Sequence, residues 1–189
     1  MLNNTNETLP AEKRALREWA RERRAMLDMP ALSIQLLEKV QKLPALLTAQ
    51  RILVYNALPD EVDLLALTSD STRHWYLPHC APKRRLAVHA FVPGETPLRP
   101  GPFGILEPDP QQVPETNLLL LDAVIVPALL LTPDGGRLGY GGGYYDRFLP
   151  GLRPDCLKIG VLPQALIVPS LPLDPWDILL DRVITEETC

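Results

Sequence analysis

Short apolar runs with little internal alternation set the terms for this chain. Arg51-Ile-Leu-Val-Tyr55, Trp75-Tyr-Leu77, Leu86 to Phe91, Ala123-Val-Ile-Val126, Leu157 to Leu162 and Arg182 to Thr185 are each compact. Strands that are apolar throughout need cover on both faces, which a parallel sheet flanked by helices provides. Helical patterns at 10–43, 62–70 and 143–149 alternate with these runs. The alternation predicts an α/β fold: a single domain with a mostly parallel sheet flanked by helices, Rossmann-like and three-layered. At 189 residues, one domain over 1–189 is the simplest partition, with residues 1–9 expected to lack order.

Proline supplies the punctuation. The chain has 21 prolines against 11 glycines, which implies short connections and few long helices. Pro10 to Asp28 reads as an amphipathic helix, with Ala15, Leu16, Trp19, Ala20, Met26 and Leu27 on one arc. Lys13, Arg14, Arg17, Arg21 and Arg24 fall on the opposite arc. Met29-Pro30 is expected to break this helix, and a second runs from Ala31 to Leu43. Pro93 to Pro114 reads as a long irregular connection.

Several functional classes are excluded or weakened. A hydrophobic share of 46% and a charged share of 22% exclude a wholly disordered or coiled-coil chain. A net charge of −4 argues against a protein dominated by phosphate-backbone binding, though a local basic patch stays open. The most apolar run, Leu118 to Leu131, is too short to span a bilayer and contains Asp122 and Pro127. The start of the chain lacks the apolar core of a secretory signal, and Cys80, Cys156 and Cys189 form no zinc or disulfide pattern. A cytoplasmic monomer with no membrane contact is expected. His74, His79 and His89 lack partners at triad or metal spacing and read as structural.

Chemistry concentrates in one place. Six of the 11 glycines lie within nine residues, in Pro133-Asp-Gly-Gly-Arg-Leu-Gly-Tyr-Gly-Gly-Gly-Tyr-Tyr-Asp-Arg147. The segment follows the strongest strand and precedes a short helical run, an arrangement suited to cradling phosphate with backbone N–H groups. It is neither a P-loop, lacking Gly-Lys-Ser/Thr, nor a dinucleotide loop, because Tyr144 stands where the third glycine belongs. A flexible linker is the plain alternative, but linkers are Gly/Ser-rich, and this one interleaves Arg137, Tyr140, Tyr144, Tyr145, Asp146 and Arg147.

Pro127 to Leu149, read as a whole, resembles the diagnostic motif of the 5-formyltetrahydrofolate cyclo-ligases, or methenyltetrahydrofolate synthetases. Three further stretches resemble that family in order and spacing: Lys13-Arg-Ala-Leu-Arg17, Asp60-Glu-Val-Asp63 and Asp177-Ile-Leu-Leu-Asp-Arg-Val-Ile-Thr-Glu186. The resemblance implies an enzyme that uses ATP and Mg²⁺ to convert 5-formyltetrahydrofolate to 5,10-methenyltetrahydrofolate, releasing ADP and phosphate.

It also implies roles for particular residues. Lys13 and Arg17, about 40° apart around a helix, would reach the ATP phosphates together. Arg137, Leu138, Gly139, Tyr140, Gly141, Gly142, Gly143, Tyr144 and Tyr145 would wrap the nucleotide, with Arg137 and Asp146 catalytic. Asp146 and Asp177 would hold the metal, with Asp174 and Asp181 competing for the second place. Asn56, Glu61, Phe103 and Tyr144 would meet the folate.

Alternatives stand beside several of these roles. Asp146 reads equally as a charge in the first turn of a helix, Asp60-Glu61 as an exposed turn, and Arg14, Arg21 and Arg24 as a solvated face. Some relatives carry lysine between the later glycines where Gly142 stands, so Arg137, Arg147 or Lys13 must supply the charge at the transferring phosphate. Two rival functions remain: a non-catalytic folate- and nucleotide-binding regulator, and a weak nucleic-acid binder acting through the basic helix.

Overall fold

A computed structural model describes residues 12–188; the stretch 1–9 expected to lack order lies outside the described residues. Helix α1 (Lys13–Ala25) is followed by α2 (Met29–Gln41) and by a single turn, α3 (Pro44–Leu47). The second helix begins earlier than expected. Pro30 occupies its first turn, where a missing N–H leaves nothing unpaired. Asp28 caps it by accepting a hydrogen bond from the Ala31 N–H at 3.1 Å.

The strands are β1 (Arg51–Leu53), β2 (His74–Ala81), β3 (Arg85–Phe91), β4 (Leu98–Pro100), β5 (Leu106–Pro108), β6 (Ala123–Val126), β7 (Leu130–Leu131), β8 (Arg137–Leu138), β9 (Leu157–Val161) and β10 (Arg182–Ile184). Six of them form one sheet in the order β10-β9-β6-β1-β2-β3. Every neighbouring pair is parallel except β2 with the edge strand β3. The apolar runs behave as two-sided cover demands: all four residues of β6 are buried, and Ile52, Leu53 and Val54 are fully enclosed. Leu16 and Ala20 of α1 and Leu36 and Val40 of α2 join the same core.

Two departures from expectation shape the site. The first is β2, which runs from His74 to Ala81 although β1 pairs only with its residues His74, Trp75 and Tyr76. Its far half hangs past β1 and pairs with β3 alone, so Pro78 is tolerated there without breaking a ladder on both sides. The second is the stretch 93–114, which is not simply irregular. It folds into the β4–β5 hairpin, with Leu98 opposite Pro108 and Pro100 opposite Leu106. Its proline density hides the strands from sequence patterning. The hairpin is fastened through buried Glu107, whose Oε2 accepts from His79 Nδ1 at 2.8 Å and from the Cys80 N–H at 3.0 Å. A Cβ on Gly101 would lie 2.3 Å from the Glu107 carboxyl carbon, so a larger residue there would push this carboxylate from its place.

Candidate active site

The carboxyl ends of β1 and β6 and the overhang of β2 open onto one cavity of ≈ 350 Å³. Ligand crevices of open α/β sheets form at such strand ends. Tyr55 and Asn56 continue β1 into it, Pro127 continues β6, and Pro78 and Cys80 come from β2. The β4–β5 hairpin closes one wall with Phe103, Ile105 and Leu106. The glycine segment closes the opposite wall from Gly139 to Asp146.

That segment is built from a small hairpin, β7 paired with β8, and a helix of five residues, α4 (Tyr144–Phe148). Leu138 does not face the cavity: its side chain is buried in the core and its carbonyl accepts from the Leu129 N–H at 2.8 Å. Gly143 caps α4 with φ +70°, a left-handed conformation that glycine adopts without strain. The helix is too short for a strong macrodipole, so the loop's own N–H groups carry the positive field expected of it.

Arg137 stands between the loop and two carboxylates. Its guanidinium is buried, donates to Asp146 Oδ1 and to the Pro127 carbonyl at 3.3 Å, and feels the charge of Asp177. Asp177 belongs to a second acidic group. Lys13 Nζ donates to Asp174 Oδ2 at 2.5 Å and to Asp177 Oδ2 at 3.0 Å. Burial alone would lower the Lys13 pKa, but these two carboxylates outweigh it and raise it. Asp181 is elsewhere, paired with the Lys158 ammonium and backbone N–H at the start of β9. Of the three competing acids, Asp174 and Asp177 reach Lys13, and Asp177 alone is coupled to Arg137.

The basic arc of α1 is not a solvated face as a whole. Arg17 Nε donates to the Gly139 carbonyl at 2.9 Å. Arg24, expected in solvent, is 2% exposed and bonds to the Ala128 carbonyl and the Tyr140 hydroxyl. Arg14 remains exposed beside Glu18, and Arg21 reaches the cavity rim. Lys13, Arg17 and Arg24 lie within about 40° of one another around the helix. They form one stripe, so the neighbour relation was visible in the spacing.

Glu61 lies in the cavity, and the exposed-turn alternative fails. The turn that carries it looks exposed in sequence, yet Glu61 is 7% exposed and lines the cavity. Its Oε2 accepts from the Leu58 N–H at 2.9 Å. Burial raises its pKa, against the pull of that N–H, the Tyr140 hydroxyl and the Arg24 charge. Tyr145 lies nearby with Arg137 over its ring at 5.9 Å, and its hydroxyl is buried without a partner. Burial pushes the Tyr145 pKa far up, so the hydroxyl remains a proton-bearing donor. Cys80 is likewise held as a thiol, its pKa pushed by burial to about 12. Asn56 lines the same cavity while its Nδ2 donates to the Leu106 carbonyl at 3.1 Å. Phe103 sits at the hairpin tip with φ +69° and is 69% exposed.

The 5-formyltetrahydrofolate cyclo-ligase family model matches residues 10–186. The chain belongs to the 5-formyltetrahydrofolate cyclo-ligase family. It is 31% identical to the 5-formyltetrahydrofolate cyclo-ligase of Haemophilus influenzae over 72% of this chain and 75% of that protein. It is 28% identical to the mitochondrial 5-formyltetrahydrofolate cyclo-ligase of Arabidopsis thaliana, over 92% of this chain and 74% of that one. The NMR structure of Aquifex aeolicus 5,10-methenyltetrahydrofolate synthetase superposes with a TM-score of 0.81 at 29% identity, covering 93% and 90% of the two chains.

Within this cyclo-ligase fold, among the described residues no three or more His, Cys, Asp or Glu side chains gather as a metal cage. The donors present near the glycine loop are carboxylates, Asp146 and Asp177, each facing Arg137. Such a set fits a hard cation that takes most of its oxygens from phosphate and water, and not an ion held by protein alone. No helix of the described residues is long and apolar enough to cross a membrane.

Proposed function

We propose that this chain, acting as one domain over 1–189, cyclises 5-formyltetrahydrofolate to 5,10-methenyltetrahydrofolate with ATP, releasing ADP and phosphate. The observation that carries this reading is one cavity shared by a cationic glycine loop and a buried acid, Glu61, on a chain of this family. A formamide oxygen is a poor leaving group and must be activated. Its oxygen attacks the γ-phosphorus of ATP; the new O–P bond forms as the bond to ADP breaks. N10 of the folate then attacks the formyl carbon, the C–O bond breaks, and departing phosphate takes the N10 proton. The substrate supplies both nucleophiles, so the protein contributes placement and charge.

Each side chain then has a task. The N–H groups from Gly139 to Tyr145 hold the phosphates, and Lys13 and Arg17 add charge from α1. Arg137, buried beside Gly139 and paired with Asp146, neutralises the transferring phosphoryl group, which answers the absence of lysine at Gly142. Asp146 and Asp177 would hold a Mg²⁺ riding on the nucleotide, which would supply further charge neutralisation. Glu61 accepts N–H groups of the pterin ring beside Asn56, Tyr144 shapes the wall, and Phe103 covers the open side. The Tyr145 hydroxyl donates into the cavity. The stripe that a nucleic acid would need is turned into the molecule at Lys13, Arg17 and Arg24.

The test is direct. Purified protein, 5-formyltetrahydrofolate, ATP and Mg²⁺ should yield the ultraviolet absorbance of the methenyl product. Product formed at full rate without ATP would refute the mechanism, and tight folate and nucleotide binding without turnover would favour the regulator instead.

A further inference from the structure

Arg24 is an unusual residue to bury. It is 2% exposed, its Nε is enclosed without a partner, and the carboxylate it pairs with, Asp60, lies 3.6 Å away and half in solvent. An incompletely paired interior charge is a poor source of stability compared with an apolar side chain of similar size. Its attachments suggest another reason for its presence. Nη2 donates to the Ala128 carbonyl at 2.7 Å, just beyond β6. Nη1 donates to the Tyr140 hydroxyl in the glycine loop, and the guanidinium lies 5.6 Å from the Tyr140 ring centre. The same Nη1 faces Asp60, the neighbour of Glu61. Tyr140 and Glu61 line the same cavity, and the Tyr140 hydroxyl draws the Glu61 pKa down against the effect of burial. A line of contacts thus runs from α1 through Arg24 to the Tyr140 hydroxyl, whose charge environment includes Glu61.

We infer that Arg24 is a positioning residue that couples the two substrates: a nucleotide that fixes the glycine loop fixes Tyr140, and through it orients Glu61 for the pterin. The inference rests on the function proposed above. Coupling of this kind is reciprocal, so bound folate must tighten nucleotide binding by the same factor. Helix α1 is fastened to the loop at two points, Arg17 on the Gly139 carbonyl and Arg24 on Tyr140, so α1 and the loop move as a unit.

The experiment measures the dissociation constant of 5-formyltetrahydrofolate by calorimetry, with and without a saturating non-hydrolysable ATP analogue and Mg²⁺. In the native protein the analogue should tighten folate binding about fivefold or more, the lower range of ordinary coupling. In Arg24→Met the ratio should fall to within about twofold of unity while each ligand still binds alone. Arg24→Lys should restore it only partly, since an ammonium cannot reach the Ala128 carbonyl and the Tyr140 hydroxyl as a planar fork does. Tyr140→Phe keeps the buried cation and removes the hydroxyl link, so it should also lose coupling; it decides the matter should Arg24→Met not fold. A purely structural role would lower the melting temperature and leave the ratio at its native value, and that result overturns the inference. So does a native protein that binds both ligands independently. A native protein that binds neither ligand refutes the proposed function instead.

Discussion

The two walls of the cavity handle charge in opposite ways. On the proposed nucleotide side, cations already have carboxylate partners: Arg137 holds Asp146 in the cavity wall, and Lys13 holds Asp174 and Asp177 outside the cavity lining. On the proposed folate side the acids are buried: Glu61 accepts from the Leu58 N–H with its pKa raised by burial, and Glu107 accepts from His79 and the Cys80 N–H. Lys13 and its carboxylates, partly in solvent, can exchange partners for phosphate at modest cost, whereas Arg137 is already buried and meets an anion with little further desolvation. A buried acid accepts a ligand that restores its hydrogen bonds and rejects one that does not. Under the proposed function, the wall assigned to nucleotide is suited to charge neutralisation during reaction, and the wall assigned to folate to recognition.

The largest effect should come from breaking the charged wall at its centre. Arg137→Ala is expected to lower kcat by about 10²–10³, the usual loss of one donor aimed at developing charge. Arg137→Lys should recover part of it, since the charge survives while the bond to the Pro127 carbonyl does not. Asp146→Asn should also lower turnover far more than it lowers the melting temperature, because Asp146 is 45% exposed and stabilises little. Equal losses of turnover and stability would return Asp146 to a structural role in the first turn of α4.

Glu61→Gln attacks the other wall and should act on KM. We expect the KM for 5-formyltetrahydrofolate to rise about 10- to 100-fold, as for a lost charged hydrogen bond, with the KM for ATP little changed. The pH dependence sharpens this. Glu61 binds its proton more tightly folded than unfolded, so its contribution to stability is full below the ordinary value of 4.5. That contribution is lost as pH rises through the raised folded value. Folate binding, which in the proposed function uses the carboxylate, should run the other way and weaken as pH falls through the same value. Thermal melts and folate titrations over one pH series should show the two slopes opposed, and Glu61→Gln should flatten both.

How much of this was legible in the sequence divides along the same line. The parallel sheet was readable because Ala123-Val-Ile-Val126 and its companions carry their cover requirement in composition alone. The glycine loop was readable because its residues are contiguous. The other wall was legible only through the family resemblance, which named Asn56, Glu61, Phe103 and Tyr144; residue patterning alone could not find it, since it is assembled from tertiary placement. Glu61 looks like a turn residue until Arg24 and Tyr140 are packed over it, and the β4–β5 hairpin is masked by Pro100, Pro102 and Pro108. Glu107 and His79 bury together where Gly101 leaves room for the carboxylate. Arg24 lies between these cases: its angle beside Lys13 and Arg17 was in the spacing, but a stripe of cations does not say by itself which side faces inward.

Lys13→Ala probes the charged wall at its edge. Lys13 is 30% exposed and shared between two acids, so its attraction for phosphate is diluted by solvent and by competition. The KM for ATP should rise about three- to tenfold, with the effect shrinking as salt is added. An unchanged KM would remove Lys13 from the nucleotide site and leave it as the anchor of the 174–177 turn.

Phe103→Ala should give the smallest change, and its smallness is informative. With 69% of the side chain exposed, truncation removes little buried area, and no cavity forms behind it. The melting temperature should not move measurably, while the KM for the folate should rise about two- to threefold if the ring lies over the bound ligand. Its backbone, at φ +69°, is held in a conformation that costs a non-glycine residue energy. Phe103→Gly would relieve that cost, so a variant more stable than the native protein yet weaker for folate would show the tip to be kept for binding. A change in the KM for ATP from either variant would mean that the two walls are not separable at the hairpin, and the contrast between them would then hold only at Glu61.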